Sequence, residues 1–188
     1  MNIFVLDKDP VLAAKYHCDK HCVKMILEAG QMLSVAHWIG ALRSVNKSLD
    51  DFKRVRDAKE YALSKADASL IPPWTLTHTR HPCTVWTSHN SANYNWHVRL
   101  MRALLDEYTH RYNKRHKAEE VYNWLAPRRP YKILKGEPQS EHPQCMPDEC
   151  KVPNDPVTAY RNYYHQHKAY MAKWNKGSTP DWWQQKKE

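Results

Sequence analysis

The chain predicts an all-α, single-domain multi-helix bundle, and three observations carry that expectation. Apolar residues recur every three or four positions through long stretches, no stretch sustains a two-residue alternation, and glycine occurs only four times in 188 residues. The scarcity of glycine also argues against a Gly-rich phosphate loop, and so against the usual nucleotide-binding folds. A chain of 188 residues has enough interior to bury a core, so neither metal nor disulfide is required for folding.

The elements follow in order. After the short apolar run "MNIFVLD", Asp9 and Pro10 supply a cap and a first-turn proline, which starts a helix. From Val11 to about Ile39, Val23, Ile26, Leu27, Gly30, Leu33 and His37 keep helical spacing, with a break near Cys18 to Lys20 that would divide the stretch in two. Leu49 to Leu70 reads as a charged helix anchored by Phe52, Val55, Tyr61 and Leu63. Prolines then interrupt "SLIPPWTLTHTRHPCT", a predicted loop carrying His78, Arg80 and His81. Ser88 to His116 is the clearest long helix, with Tyr94, Met101, Tyr108 and Tyr112 on one face and Arg99, Arg102, His110, Lys114 and Lys117 on the other. Ala118 to Leu125 adds a short helix, and residues 127–156, with seven prolines, predict an extended wrapping segment. Asp155 and Pro156 repeat the cap-plus-proline signal ahead of a last helix. On that helix Val157, Tyr160, Tyr164, His167, Met171 and Trp174 form one stripe, opposite Arg161, His165 and Lys168. The tail carries Trp182 and Trp183, then Lys186 and Lys187.

Lys and Arg outnumber Asp and Glu by 29 to 20, a formal charge of +9, and a basic aromatic-rich chain suits a polyanion, with nucleic acid first. Eight Trp and eleven Tyr against two Phe supply rings that either pack in a core or stack on bases. Five cysteines, an odd number, and the lack of a charged-then-apolar leader lead us to expect reduced thiols in a cytoplasm. No run approaches the roughly 18 apolar residues of a membrane span.

The densest chemistry lies in "YHCDKHCVKMILEAGQ", residues 16–31. On a helix Lys20, Lys24, Glu28 and Gln31 stand in one column and His17 and His21 in the next. Two ammonium groups beside one carboxylate hold it ionised and offer a phosphate backbone a landing site near a reacting sugar. A solvated charge stripe is the plainer alternative. Cys18 and Cys22 with Cys145, Cys150 and His142 form a weak candidate for zinc, without knuckle spacing, and no metal or cofactor is expected. Cys22 as a nucleophile is disfavoured because it falls on the apolar side of its helix.

Three stretches taken in order, "LDKDPVLAAKYHCDKHCVKMILEAGQML", "RHPCTVWTSHNSANYNWHVRLMRALLDEYTHRY" and "AYRNYYHQHKAYMAKW", resemble the pyrimidine dimer DNA glycosylases of the endonuclease V type found in phages and bacteria. The resemblance is to a pattern covering roughly half the chain. It lies in Asp19, Lys20, His21, Lys24 and Glu28, in His81, Pro82 and Trp86, and in Leu104, Leu105, Glu107 and Tyr108. The opening "MNIF" is also similar to that of phage proteins, which would place the chain in a host cytoplasm.

The resemblance implies an all-α repair enzyme that displaces a nucleotide in double-stranded DNA and cleaves its glycosidic bond with the N-terminal amine. A helix glutamate moves protons at the ribose, elimination can cut the backbone, and no metal or organic cofactor takes part. The catalytic group would then be Glu28 with the amine of Met1 or Asn2, assisted by His21. Expected DNA contacts are His17, Lys20, Lys24, Arg80, His81, Trp86, Asn93, Trp96, Arg161, Lys168 and Trp174, with the protein acting as a monomer. Two features depart from the pattern: Asn2 is bulky where the family exposes a small residue, and residues 127–156 form an added segment. A DNA-binding protein without bond-breaking activity, stacking through Trp86, Tyr94, Trp96 and Trp174, is the first alternative. A base- or nucleotide-modifying enzyme on the same scaffold is the second.

Overall fold

The computed structural model describes residues 1–184. Its helices are α1 (Pro10–Tyr16), α2 (Asp19–Ser44), α3 (Val55–Lys65), α4 (Pro82–His89), α5 (Ser91–Tyr112), α6 (Glu119–Leu125), α7 (Pro156–Tyr163) and α8 (Asp181–Gln184). Among the described residues there is no strand; one isolated bridge joins Asn90 to Leu134. Nor is any helix there long and apolar enough to cross a membrane. Lys186 and Lys187 lie outside the described residues.

The proline signals hold at both ends. Asp9 accepts from the Val11 N–H ahead of α1, Asp155 accepts from the Thr158 N–H ahead of α7, and a proline occupies the first turn of each. The break expected near Cys18 separates α1 from α2, whose 26 residues span about 39 Å.

Elsewhere the periodicity overran. The stretch from Leu49 to Leu70 divides into a 3₁₀ turn at Leu49–Asp51, α3, and a second turn at Ala68–Leu70, because Ser48 and Asp67 cap new starts. The predicted loop ends earlier than expected: His81 caps α4, with Pro82 at its first position. Asn90 then breaks the chain between α4 and α5, its side chain accepting from the Asn93 N–H. The last helix turns into a single π-type turn at Tyr164–Lys168, so Met171 and Trp174 lie beyond it.

Helix α2 is the spine. Its buried residues Met25, Ile26, Ala29, Met32, Leu33 and Ala36 enter the main core with Leu100, Met101, Leu104 and Leu105 of α5 and the N-terminal Ile3 to Leu6. Farther along, Val35, Trp38 and Leu42 close a smaller core with Ala58 and Ala62 of α3. Buried Arg111 ties α5 to the α1–α2 corner. Its guanidinium donates to the carbonyls of Lys15 and His17 and pairs with Asp19 and Glu107.

Residues 127–156 wrap as expected, broken only by a 3₁₀ turn at Asp148–Cys150 before α7 begins at Pro156 and held largely by hydrogen bonds to other elements. Trp86 Nε1 donates to the Ser140 carbonyl, Asn90 Nδ2 to Pro138 and Asn93 Nδ2 to Ser140 Oγ. Tyr160 OH lies 2.9 Å from the Pro143 carbonyl. Gly40 allows this segment to cross α2 at close range, since a Cβ there would stand 2.6 Å from the Tyr131 backbone nitrogen.

Candidate functional site

Lys24 and Glu28 are one turn apart on α2, and Lys24 Nζ lies 3.3 Å from Glu28 Oε1. The other carboxylate oxygen faces the start of the chain. Asn2 N–H donates to Glu28 Oε2 at 2.7 Å, and the Met1 α-amine stands 3.7 Å from the same atom.

Four parts of the fold hold that start in place. Asn2 Oδ1 accepts from Tyr160 OH of α7 at 2.7 Å, and Asn2 Nδ2 donates to the Cys145 carbonyl of the proline-rich segment at 2.9 Å. Thr84 of α4 donates its hydroxyl to Met1 Sδ at 3.4 Å. Glu28 of α2 completes the cradle. The Met1 side chain is only 2% exposed although the residue as a whole is half-buried, so its solvent-facing part is the main chain with the amine. Glu28 is a buried residue, with 12% of its side chain still exposed.

His81 links this pair to a cleft. Burial lowers the His81 pKa, the positive N-terminus lowers it further, and Glu28 opposes both, so the ring is neutral near pH 7. The same ring lines a cleft of about 910 Å³ formed by α2, the Leu49–Val55 stretch, the loop before α4, and α4 itself. Its walls carry Arg43, Lys53, His78, Arg80 and His89 against one acid, Asp50, over a floor that includes Ile39, Phe52 and Val85. Glu28 is not itself part of that lining. His78 is held at a φ of 49°, in the left-handed region. Arg43, Lys53 and His89 are absent from the expected site; no spacing rule brings residues from three separate elements together.

The expected site residues divide by burial. Lys20, Lys24 and Arg80 are exposed and available to a partner. Lys168 is half-buried, its Nζ 4.7 Å from the centre of the Tyr163 ring.

Several expectations need correction. His21 is buried, hydrogen-bonds through Nδ1 to Tyr164 OH and packs on Phe4, and desolvation pushes its pKa down to about 2; it cannot exchange protons with a substrate. His17 is also interior, its Nδ1 against the Ala13 carbonyl and its pKa pushed down to about 4 by burial, so it meets no phosphate. Trp86, Trp96 and Trp174 are core residues, and each indole N–H is spent on a backbone carbonyl. Asn93 is fully buried and joins α5 to Ser140. Arg161 donates through Nε and Nη2 to the Leu6 carbonyl and pairs with Asp7, clamping the N-terminal run instead of DNA. Amphipathic rings and long cations look alike in sequence whether they cover a core or a ligand.

The cysteines regroup as well. Cys22 is buried and desolvation lifts its thiol pKa to about 12, which removes it as a nucleophile. Cys145 faces Cys83, not Cys18 or Cys22, and His142 stacks on Trp86. Two groups among the described residues bring metal-ligating atoms within 4.8 Å of one another: His81 with Cys83 and Cys145, and Glu149 with Cys150 and His167. No protein-family model, curated protein or solved structure matches this chain.

Proposed function

We propose that the protein is a DNA glycosylase-like enzyme acting on a damaged or modified pyrimidine nucleotide in double-stranded DNA. The α-amine at the start of the chain is the nucleophile and Glu28 moves the protons. The 3.7 Å between the Met1 amine and Glu28 Oε2 carries this reading. The 2.7 Å bond from Asn2 N–H strengthens it, since removal of Met1 would leave the new amine on the same carboxylate.

The chemistry balances. A neutral amine attacks C1′, the glycosidic bond breaks, and the base leaves with the bonding pair and takes up a proton. Loss of protons from nitrogen and gain of one at O4′ open the sugar to an imine, and Glu28 would carry both transfers. Removal of a C2′ proton can then eliminate the 3′ phosphate. Lys20, Lys24 and Arg80 would neutralise the flanking phosphates, and the cationic cleft beside His81 is the space offered to a displaced nucleotide. A binder that stacks bases without breaking bonds finds less support, because Trp86, Trp96 and Trp174 are interior.

Borohydride reduction in the presence of duplexes carrying modified pyrimidines tests the proposal. A covalent protein–DNA adduct that maps to the N-terminal peptide is expected. Loss of the adduct on N-terminal extension, with folding intact by circular dichroism, should accompany it. Base release with no adduct would replace the amine by water; no release and no adduct on any modified duplex would overturn the reading.

A further inference from the structure

We propose that His81, Cys83 and Cys145 form a binding site for a soft divalent metal, zinc in the first instance, at the junction of α4 with the proline-rich segment. The two sulfurs lie 3.6 Å apart and one His81 nitrogen lies within 4.8 Å of both. Two thiolates at about 2.3 Å from a tetrahedral zinc stand about 3.8 Å apart, whereas a disulfide needs about 2.05 Å. The observed spacing, now bridged by a thiol hydrogen bond, also suits two ligands of one ion. Two sulfurs and an imidazole are also the donor set that favours zinc over magnesium or calcium.

The surroundings suit the role. Cys83 is fully buried at the first turn of α4, so its position is set by packing, while Cys145 is half-buried and leaves an approach from solvent. His81 Nδ1 accepts a 3.2 Å bond from the Cys83 N–H, which orients the ring at the start of α4. The nearby oxygen of Asn2 accepts from Tyr160 OH and the Ile3 N–H and lies 3.5 Å from Cys83 Sγ, whose proton metal binding would displace. With three protein ligands, a tetrahedral ion would take its fourth from solvent or another exogenous donor. Because the Cys145 carbonyl holds Asn2, a metal here would fasten the segment that positions the N-terminus. The inference does not depend on glycosylase activity, and its readout is separate from imine trapping.

The test uses full-length protein, stripped with chelator under a non-thiol reductant and titrated with Co²⁺. One equivalent should give tetrahedral d–d bands with thiolate charge transfer, bleached by Zn²⁺. Cys145→Ser should weaken binding by more than the roughly 10–100-fold that loss of an outer-sphere partner costs, while Cys150→Ser leaves it unchanged. Zn²⁺ should also protect Cys145 of the wild-type protein from alkylation, a readout that needs no folded variant. Absence of saturable thiolate-bound Co²⁺, full affinity in Cys145→Ser, or no protection of Cys145 would overturn the proposal.

Discussion

Glu28 stands where a carboxylate can serve both structure and chemistry, since one oxygen meets Lys24 and the other meets the first two nitrogens of the chain. Glu28→Gln keeps an oxygen for the Asn2 N–H but cannot take up a proton. Its imine-trapping rate should fall by about 10²-fold or more, within the range for loss of a general acid or base. The variant loses the solvated ion pair to exposed Lys24, worth up to about 1 kcal/mol, and the less exposed pair to the Met1 amine, so the melting temperature should fall while the fold is kept. Arg111 behaves oppositely. Its guanidinium is fully buried among two carbonyls and two carboxylates, and Arg111→Met would strand both acids. Denaturant unfolding of that variant should show a loss of about 3–5 kcal/mol. Nothing in the sequence marks Arg111 apart from the other basic residues of its helix. Glu28 stands out in sequence by its helical spacing from Lys24 and Lys20 and by the resemblance that implies a catalytic glutamate there.

At the scale of elements, caps were the readable signal and interior periodicity the misleading one. Asp9–Pro10 and Asp155–Pro156 start α1 and α7 as expected, because the aspartate satisfies an orphan N–H and proline needs no donor there. His81–Pro82 opens α4 by the same logic, with an imidazole nitrogen in place of a carboxylate, a substitution the usual cap residues do not suggest. The proline-rich segment was legible as non-helical, but its path was not, since it is fixed by bonds to Trp86, Asn90, Asn93 and Tyr160 far away in sequence. Its close crossing over α2 gives a prediction. Gly40→Ala places a methyl 2.6 Å from the Tyr131 nitrogen and should destabilise the fold by about 1–3 kcal/mol, read as a lower denaturant midpoint at unchanged slope.

For the whole molecule, buried histidines set the response to acid. Burial lowers the pKa of His17 and His37 to about 4, of His97 and His142 to about 3, and of His21 to about 2. Neighbouring charges add to burial: Arg111 acts on His17, Arg128 on His37, and Lys24, Lys168 and His17 on His21. In the unfolded chain these rings titrate near 6.5, so below that pH the unfolded state takes up protons that the folded state refuses. Stability is therefore full above about pH 6.5 and falls as pH drops toward 4, by up to about 1.4 kcal/mol per pH unit for each such histidine. Thermal melts from about pH 7 down to about pH 5 should show a steadily falling midpoint. The net charge of +9 acts at the same scale: if duplex DNA is the partner, log affinity should fall with log salt by about one for each phosphate contacted.

By itself the sequence determined the helical class, the capped starts, the extended segment and the column that contains Glu28, because all of these depend on neighbours within a few residues. Only the tertiary structure decided which aromatic rings, histidines and cations face inward, and which residues meet at the chain's start. Burial and convergence are properties of packing between distant segments: Asn2, Glu28, Thr84, Cys145 and Tyr160 come together through contacts that span up to 158 positions, a distance at which no local pattern carries information.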